Sequence, residues 1–276
     1  MTTVAELSAS RELLANLVSR ELRGKYKRST LGWAWSLINP LALAAMFTLV
    51  FSVVFQSPAP TGDPSGLRFF PLHLLCALLP WTYLSSGMTS SIASLTSNAN
   101  LVKKVYVPRE VLVGSAVLAL VVTLAIEMSV LAVALLIAGN NVLPWLPMVV
   151  VLVALQTAFV IGLGLALSVL NVYFRDIQHF LAIFLQLWFY ASPVIYPIRL
   201  VEEAVAKNTA LDGVPVMAIY RFNPMVGFIE SYRALLYDLR FPDWADLGWV
   251  TVASLGTLVL GWKVFQRFEP RLAEEL

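Results

Sequence analysis

Apolar stretches too long for a soluble core recur from one end of this 276-residue chain to the other. Six stand out, at about 31–56, 69–95, 111–138, 146–170, 180–197 and 247–265. A helix needs about 20 residues to cross the hydrocarbon layer, and in lipid every backbone N–H and C=O must be bonded within the structure. Each stretch is near or above that length, so the expected fold is all-α: a polytopic membrane protein with six transmembrane helices. Charge agrees, since 13% of residues are charged where a soluble domain carries roughly 25%. The first 30 residues are charged throughout and lack a short apolar core before a cleavage site, so no cleaved signal peptide is expected.

The six stretches are not alike. The second begins as FFPLHLLCALLPWTYL and continues as SSGMTSSIASLTSN. Small hydroxylated residues at that density suit close helix packing or a wet lumen better than lipid contact. In the first, Asn39–Pro40 is expected to kink the helix, because proline removes a backbone donor. Glu127 is the one acid well inside an expected span, where an ionisable group must face the bundle interior or find a partner. Gln156 and Gln186 are candidate polar company for it, in a structural role or, alternatively, in a proton relay.

Lys and Arg set the orientation. With both termini cytoplasmic, the outer side holds Arg68, Arg199, Lys207, Arg221, Arg233 and Arg240, and the other thirteen of the 19 cations lie inside. The long outer stretch at about 198–246 contains MVGFIESYRALLY, with Met225, Phe228, Ile229, Tyr232, Leu235 and Leu236 at helical spacing after an Asn223–Pro224 start signal. One or two amphipathic helices lying on or dipping into the outer leaflet are expected there. Residues 10–28 form another amphipathic stretch, with Leu13, Leu14, Leu17, Val18 and Leu22 on one half of the wheel. An interfacial helix on the inner membrane surface is the direct reading.

Several chemistries find no support. No phosphate-cradling GxxxxGK[ST] occurs, nor HExxH or GxSxG. His73 and His179 are the only histidines and lie in different segments. The single cysteine, Cys76, leaves no intrachain disulfide and no thiolate metal cluster. Catalysis by this chain is therefore not expected.

The cations Arg23, Lys25, Lys27 and Arg28 run straight into the first span, which makes nucleic acid a poor partner for them. Topology alone requires such charges, and they bind anionic lipid heads. A functional reading adds that Lys25, Lys27 and Arg28 draw a phosphate-bearing head group to a lateral entrance. Trp33 and Trp35 at the same place belong either to the interfacial aromatic belt or to an entrance whose ring faces stack on sugars. Deeper in the chain Tyr83, Trp188 and Tyr190 pose the same choice, and with Ser86 they are the candidate channel-lining residues. In the inner loops, Pro108 is placed to begin a helix and Asp176 to cap the fifth.

Taken in order, RELRGKYKRSTLGWAWSLINPL, NLVKKVYVPREVL, NVYFRDIQHF, YASPVIYP and NPMVGFIESYRALLY resemble the membrane subunit of type 2 ABC exporters, in the branch that exports lipid-linked polysaccharides such as O-antigen, teichoic acid and mycobacterial galactan. The resemblance covers nearly the whole chain and implies one membrane domain. Within it, 1–30 would hold a cytoplasmic interface helix, 31–197 the first five spans, 198–246 external gate helices, 247–268 the last span and 269–276 a cytoplasmic tail. Lys103, Lys104, Tyr106, Pro108 and Arg109 would lie on a coupling helix against a separate ATP-binding subunit, with Arg175 and Asp176 as a second contact. Tyr196, Asn223, Pro224 and Glu230 would belong to the outer gate.

The same resemblance implies a homodimer in a bacterial plasma membrane, two copies of the ATPase subunit, and a lipid-linked glycan as cargo. ATP and Mg would sit on the partner, with no cofactor bound by this chain. Three rivals remain at this point: an exporter of a small hydrophobic molecule or drug, which could use a narrow apolar cleft; an ion- or proton-coupled secondary transporter, which would make Glu127 essential; and a membrane scaffold for a glycan synthase, which would show no vectorial transport.

Overall fold

The computed structural model describes residues 11–25, 32, 34–54, 60–104, 108–207 and 215–272, and among them no strand forms. Eleven helices follow one another among these residues: α1 (Arg11–Lys25), α2 (Ala34–Thr48), α3 (Phe70–Ser97), α4 (Ala99–Lys104), α5 (Arg109–Ile137), α6 (Leu146–Tyr173), α7 (Ile177–Tyr190), α8 (Ile198–Lys207), α9 (Val216–Arg221), α10 (Pro224–Arg233) and α11 (Trp244–Phe268). The segments Ala34–Phe51, Arg109–Ile137, Leu143–Tyr173 and Trp244–Phe268 are long and apolar enough to cross a membrane. With 28 residues, α3 is as long, but its second half carries the hydroxyl run. The protein is a multi-pass helical membrane protein.

α3 is the central post. It packs against α2, α5, α6, α7 and α10, and the residues of its first half, from Phe70 to Trp81, are almost all buried. Two amide side chains on α6 tie it to α3: Gln156 Nε2 donates to Pro80 O (2.8 Å) and Asn171 Nδ2 to Ile92 O (3.0 Å). Both positions advance together along the two chains, so α3 and α6 run parallel. Such interhelical bonds are worth about 0.6 kcal/mol on average in membranes, with a maximum near 1.7, so they fix register more than they add stability. Gln156 also accepts from Tyr232 Oη (3.1 Å). It therefore serves the α3–α6–α10 junction, and Gln186 is exposed on α7. The expectation that these two glutamines keep company with Glu127 gives way to that arrangement.

α6 and α11 touch through backbone. A Cβ on Gly261 would overlap the backbone of Gly162, and one on Gly162 would overlap Thr257 and Leu258. Small residues permit this close approach, and dispersion between the two backbones holds it in the absence of a hydrophobic drive. At the far end of these helices, Leu17 of α1 packs with Leu95, Val102, Val111, Val169, Val172 and Phe265. The amphipathic N-terminal helix thus turns its leucines onto the bundle end, where the pattern alone has them facing the membrane surface.

Three expectations change in detail. The fifth span, placed at 180–197, is a 14-residue helix spanning only about 21 Å at 1.5 Å per residue. It stops at Tyr190 because Pro193 removes a donor and restricts the residue before it. Asp176 occupies the position before α7 but makes no side-chain cap bond. Its backbone is helical (φ −68°, ψ −14°) rather than extended, so the carboxylate does not reach the first-turn amides. The third concerns α10: Met225, Phe228, Ile229 and Tyr232 are fully buried, and so are Val226 and Ser231 on other faces. This helix is buried in protein all round, against α3, α6 and α11, rather than floating at an interface. The surface amphipathic helix of this region is α8, with no buried residue and two exposed i,i+4 ion pairs, Arg199–Glu203 and Glu203–Lys207.

Candidate functional site: a hydroxylated groove and its outer closure

Six of the Ser and Thr residues of α3, at 85, 86, 89, 90, 94 and 97, share one half of the helix through their spacing, while Ser91 is turned toward Gly164 of α6. That face is one wall of a groove of about 560 Å³, with Leu112, Ala116, Ala119 and Leu120 of α5 opposite and Glu21 and Leu22 of α1 over one end. A second cavity of about 250 Å³ shares Ser86 and Leu120 with it and continues past Thr82 and Tyr83 to Thr123 and Glu127. Trp35, Ser36, Asn39 and Pro40 of α2 form its outer side. Together the two run from Leu112 to Glu127 on α5, roughly 22 Å at 1.5 Å per residue.

Five of the hydroxyl protons along this wall are turned back onto the helix. Thr82 donates to Leu79 O (2.9 Å), Ser85 to Thr82 O (3.2 Å), Thr89 to Ser85 O (2.8 Å), Ser94 to Ser91 O (2.7 Å) and Ser97 to Ser94 O (3.3 Å). A hydroxyl that has spent its one donor keeps acceptor lone pairs. Those five therefore offer acceptors, while Ser86 and Ser90 still have a proton to donate. Thr157 donates to Val153 O, so the 2.9 Å Tyr83–Thr157 bond has Tyr83 as its donor. Thr123, 5% exposed, has a buried Oγ1 with no hydrogen-bond partner among the described residues. At the mouth Arg20 bonds Asn98 Oδ1 (2.7 Å) and Glu21 (3.1 Å).

Two residues before Tyr83, Trp81 belongs to a layer of packed aromatics. Trp81 meets Trp188 edge-on (5.9 Å) and Phe189 (5.5 Å), and Phe159 meets Phe228 (6.0 Å). Asn223 fastens this layer: it accepts from Met225 N (3.0 Å) and Trp188 Nε1 (2.8 Å) and donates to Ser192 Oγ (2.9 Å). Pro224 then sits at the first turn of α10, where its missing N–H costs nothing. Arg233, 4% exposed, donates to Glu230 (3.1 Å), Tyr196 O (3.3 Å) and Val194 O (3.0 Å). Tyr220 donates to the Tyr196 hydroxyl (3.3 Å), which itself donates to Tyr190 O (2.8 Å). Burial, then the Tyr196 hydroxyl, pushes the Tyr220 phenol upward, so it stays a donor.

Of the residues singled out in the sequence, Tyr83, Ser86 and Trp35 line the groove. Trp188 does not; its indole is bound to Asn223 in the aromatic layer, and Tyr190 is exposed nearby. Tyr196, Asn223, Pro224 and Glu230 come together at the junction of α7, α8 and α10. Pro108 stands before the first residue of α5, and Arg109 donates to Glu269 O, joining α5 to the turn after α11. Lys103, Arg175 and Asp176 are exposed. Lys27, Arg28, Trp33 and Tyr106, and the side chains of Lys25 and Lys104, lie outside the described residues. Sequence reasoning missed Arg233, counted only as an outer cation; its signal was the Glu230–Arg233 spacing of three. It also missed Thr123, one turn from Glu127 on the same face.

A multi-helix membrane bundle with a polar groove closed at one end has the form of a transport protein. The profile of the ABC-2 type transporter family matches residues 12–237, and the chain belongs to that family. It is 31% identical to the O-antigen export system permease protein RfbA of Myxococcus xanthus, over 98% of this chain and 96% of the relative. A Klebsiella pneumoniae protein of the same name is 27% identical over 96% and 95%, and the polysialic acid transport protein KpsM of Escherichia coli is 20% identical over 92% of each chain.

Proposed function

We propose that this chain is the permease subunit of an ATP-driven exporter that moves a lipid-linked polysaccharide, of the O-antigen, teichoic acid or galactan kind, out of the bacterial cytoplasm across the plasma membrane. The observation that carries the reading is the groove: some 22 Å of hydroxyl-lined wall, by helical rise, inside an apolar bundle. A glycan is too polar for hydrocarbon and needs such a path; an apolar drug does not. The names of the full-length relatives point the same way.

In this scheme six helices cross the membrane, both termini are cytoplasmic, and two copies place their grooves around one channel. The basic run through Lys25, Lys27 and Arg28 marks the inner mouth, and Trp35 lines the cavity beyond it. Two copies of a separate subunit bind ATP and Mg, and press on the end of the bundle where α1, α4, Arg109, Arg175 and Asp176 gather. Differential binding of that subunit to two arrangements of the bundle would drive opening of the aromatic layer and the Asn223–Arg233 junction.

The test is reconstitution of the permease with its ATPase in liposomes, loaded with a lipid-diphosphate-linked hexose polymer and probed with a lectin on the far side. ATP-dependent lectin binding is expected, lost when the ATPase loses its P-loop lysine. Binding that does not depend on ATP, or none with an active ATPase, would overturn the reading.

A further inference from the structure

We infer that the groove grips a sugar chain on two unlike surfaces, with the hydroxyl rim of each ring on α3 and its C–H face on α5. Ser86, Ser90, Ala116 and Ala119 are then the specificity-determining residues that restrict the cargo to unbranched chains. This rests on the polysaccharide reading above and narrows it to a substrate class, linear polyhydroxylated polymer.

The difference between the two long walls is the first observation. α3 presents its Ser and Thr run, whereas the α5 side chains lining the same groove, Leu112, Ala116, Ala119 and Leu120, are all apolar. A pyranose ring is divided in the same way, since hydroxyls project from its rim and C–H groups cover its faces. In this slot it sets polar groups against polar and apolar against apolar. A wholly apolar cargo would take water from the α3 hydroxyls and return no bond. A cargo polar on every side would lose its own water against α5.

Hydrogen-bond capacity is the second observation. Five α3 hydroxyls along the groove and its continuation have given their proton to a carbonyl of their own helix and can only accept. Ser86 and Ser90 still have a proton to donate. Four residues apart, these two stand about 6 Å apart along one side of α3. A wall of both kinds is matched by groups that donate and accept alike, as sugar hydroxyls do. Farther along, Thr123 lines the continuation with a buried Oγ1 that has no partner among the described residues. A polar atom in that state points to an occupant.

Size is the third observation. At about 560 Å³ the groove has the volume of a pocket for one small ligand, about 300–1,000 Å³. It holds a few rings of one chain in file. The methyl groups of Ala116 and Ala119 keep the α5 side open between Leu112 and Leu120. A branch replaces a rim hydroxyl with another ring, which breaks a bond to α3 and pushes the chain into α5.

The experiment uses the reconstituted complex and two probes with the same anchor and backbone length: a lipid-diphosphate-linked linear hexose polymer, and that polymer with a one-hexose branch on each ring. The wild type should export the linear probe about tenfold faster or more, the rate equivalent of one buried polar group left unmet. Ala116→Leu, or Ser86→Ala with Ser90→Ala, should slow the linear probe several-fold, while Val130→Leu, at an exposed position of α5, should not. Co-purification with the ATPase checks assembly of each variant. A second measurement needs no transport. In the complex, Ser90→Cys and Ala116→Cys should each react with a water-soluble maleimide, and the linear probe should protect both, with the buried Cys76 silent. Equal export of both probes by the wild type, assembled groove variants with wild-type rates, or an introduced cysteine that fails to react or stays unprotected overturns the inference and leaves the polysaccharide reading standing. Export of neither probe with an active ATPase overturns both.

Discussion

Replacing Arg233 by Met removes the charged group that joins α10 to the turn after α7. The perturbation strips Val194 O and Tyr196 O of a donor and leaves Glu230, whose side chain is 21% exposed, without its partner. Removing one member of a buried pair costs about 3–5 kcal/mol. Two features lower that figure here: Glu230 reaches some solvent, and Arg233 Nε has no partner among the described residues, so its desolvation is relieved by the change. The expected loss is about 2–3 kcal/mol. With about 2.1 cal/mol/K of unfolding entropy per residue, a chain of this length loses about 3–5 °C of midpoint. The assay is the apparent midpoint of the purified protein in detergent, at one heating rate because such unfolding is commonly irreversible. The double variant Arg233→Met with Glu230→Gln should recover part of the loss, since no unpaired carboxylate remains. A shift below about 1 °C, or a double variant that falls by the sum of the singles, would refute the reasoning.

Gly261→Val drives a side chain into the backbone of Gly162, where no rotamer change can relieve it, so helices α6 and α11 must separate; a loss of about 3 kcal/mol and reduced folded yield are expected, against little effect from Gly256→Ala, whose added Cβ meets open space. Asn223→Ala deletes the α10 cap and the Trp188 acceptor together, and should cost about 1–2 kcal/mol with a red-shifted or more quenchable tryptophan emission, while Asn223→Asp keeps both acceptor bonds and should lose less.

The sequence carried the elements whose physics is local. Asn223–Pro224 announces a helix start and supplies one, and the leucines at 13, 14 and 17 pack where their spacing turns them. The α3 hydroxyls were visible as a run, and a run at helical spacing must share a face. What was not legible depends on partners far along the chain. Gln156 and Glu127 both read as polar groups in apolar spans, yet Gln156 is turned to Pro80 and Tyr232 while Glu127 ends a groove. α10 reads as amphipathic because Ser231 and Arg233 are polar, but these two are buried with the apolar residues and Glu230 alone among its charged groups reaches solvent. Trp188 and Tyr190, two residues apart, differ in burial because one ring packs on Trp81 and is bound by Asn223, 35 positions away, while the other faces outward.

The backbone contact between Gly162 and Gly261 also makes α11 a ruler. Its start is held by Asp243, whose carboxylate accepts from Ala245 N (3.1 Å), and its crossing point is held by Gly261, 18 residues on, which is five full turns. Removing a single residue between them would swing the glycine about 100° away from α6 and present a side chain in its place. The spacing between cap and crossing is therefore fixed to the residue. Sequence drift along α11 can change which apolar groups meet lipid, but not how many positions separate its two anchors.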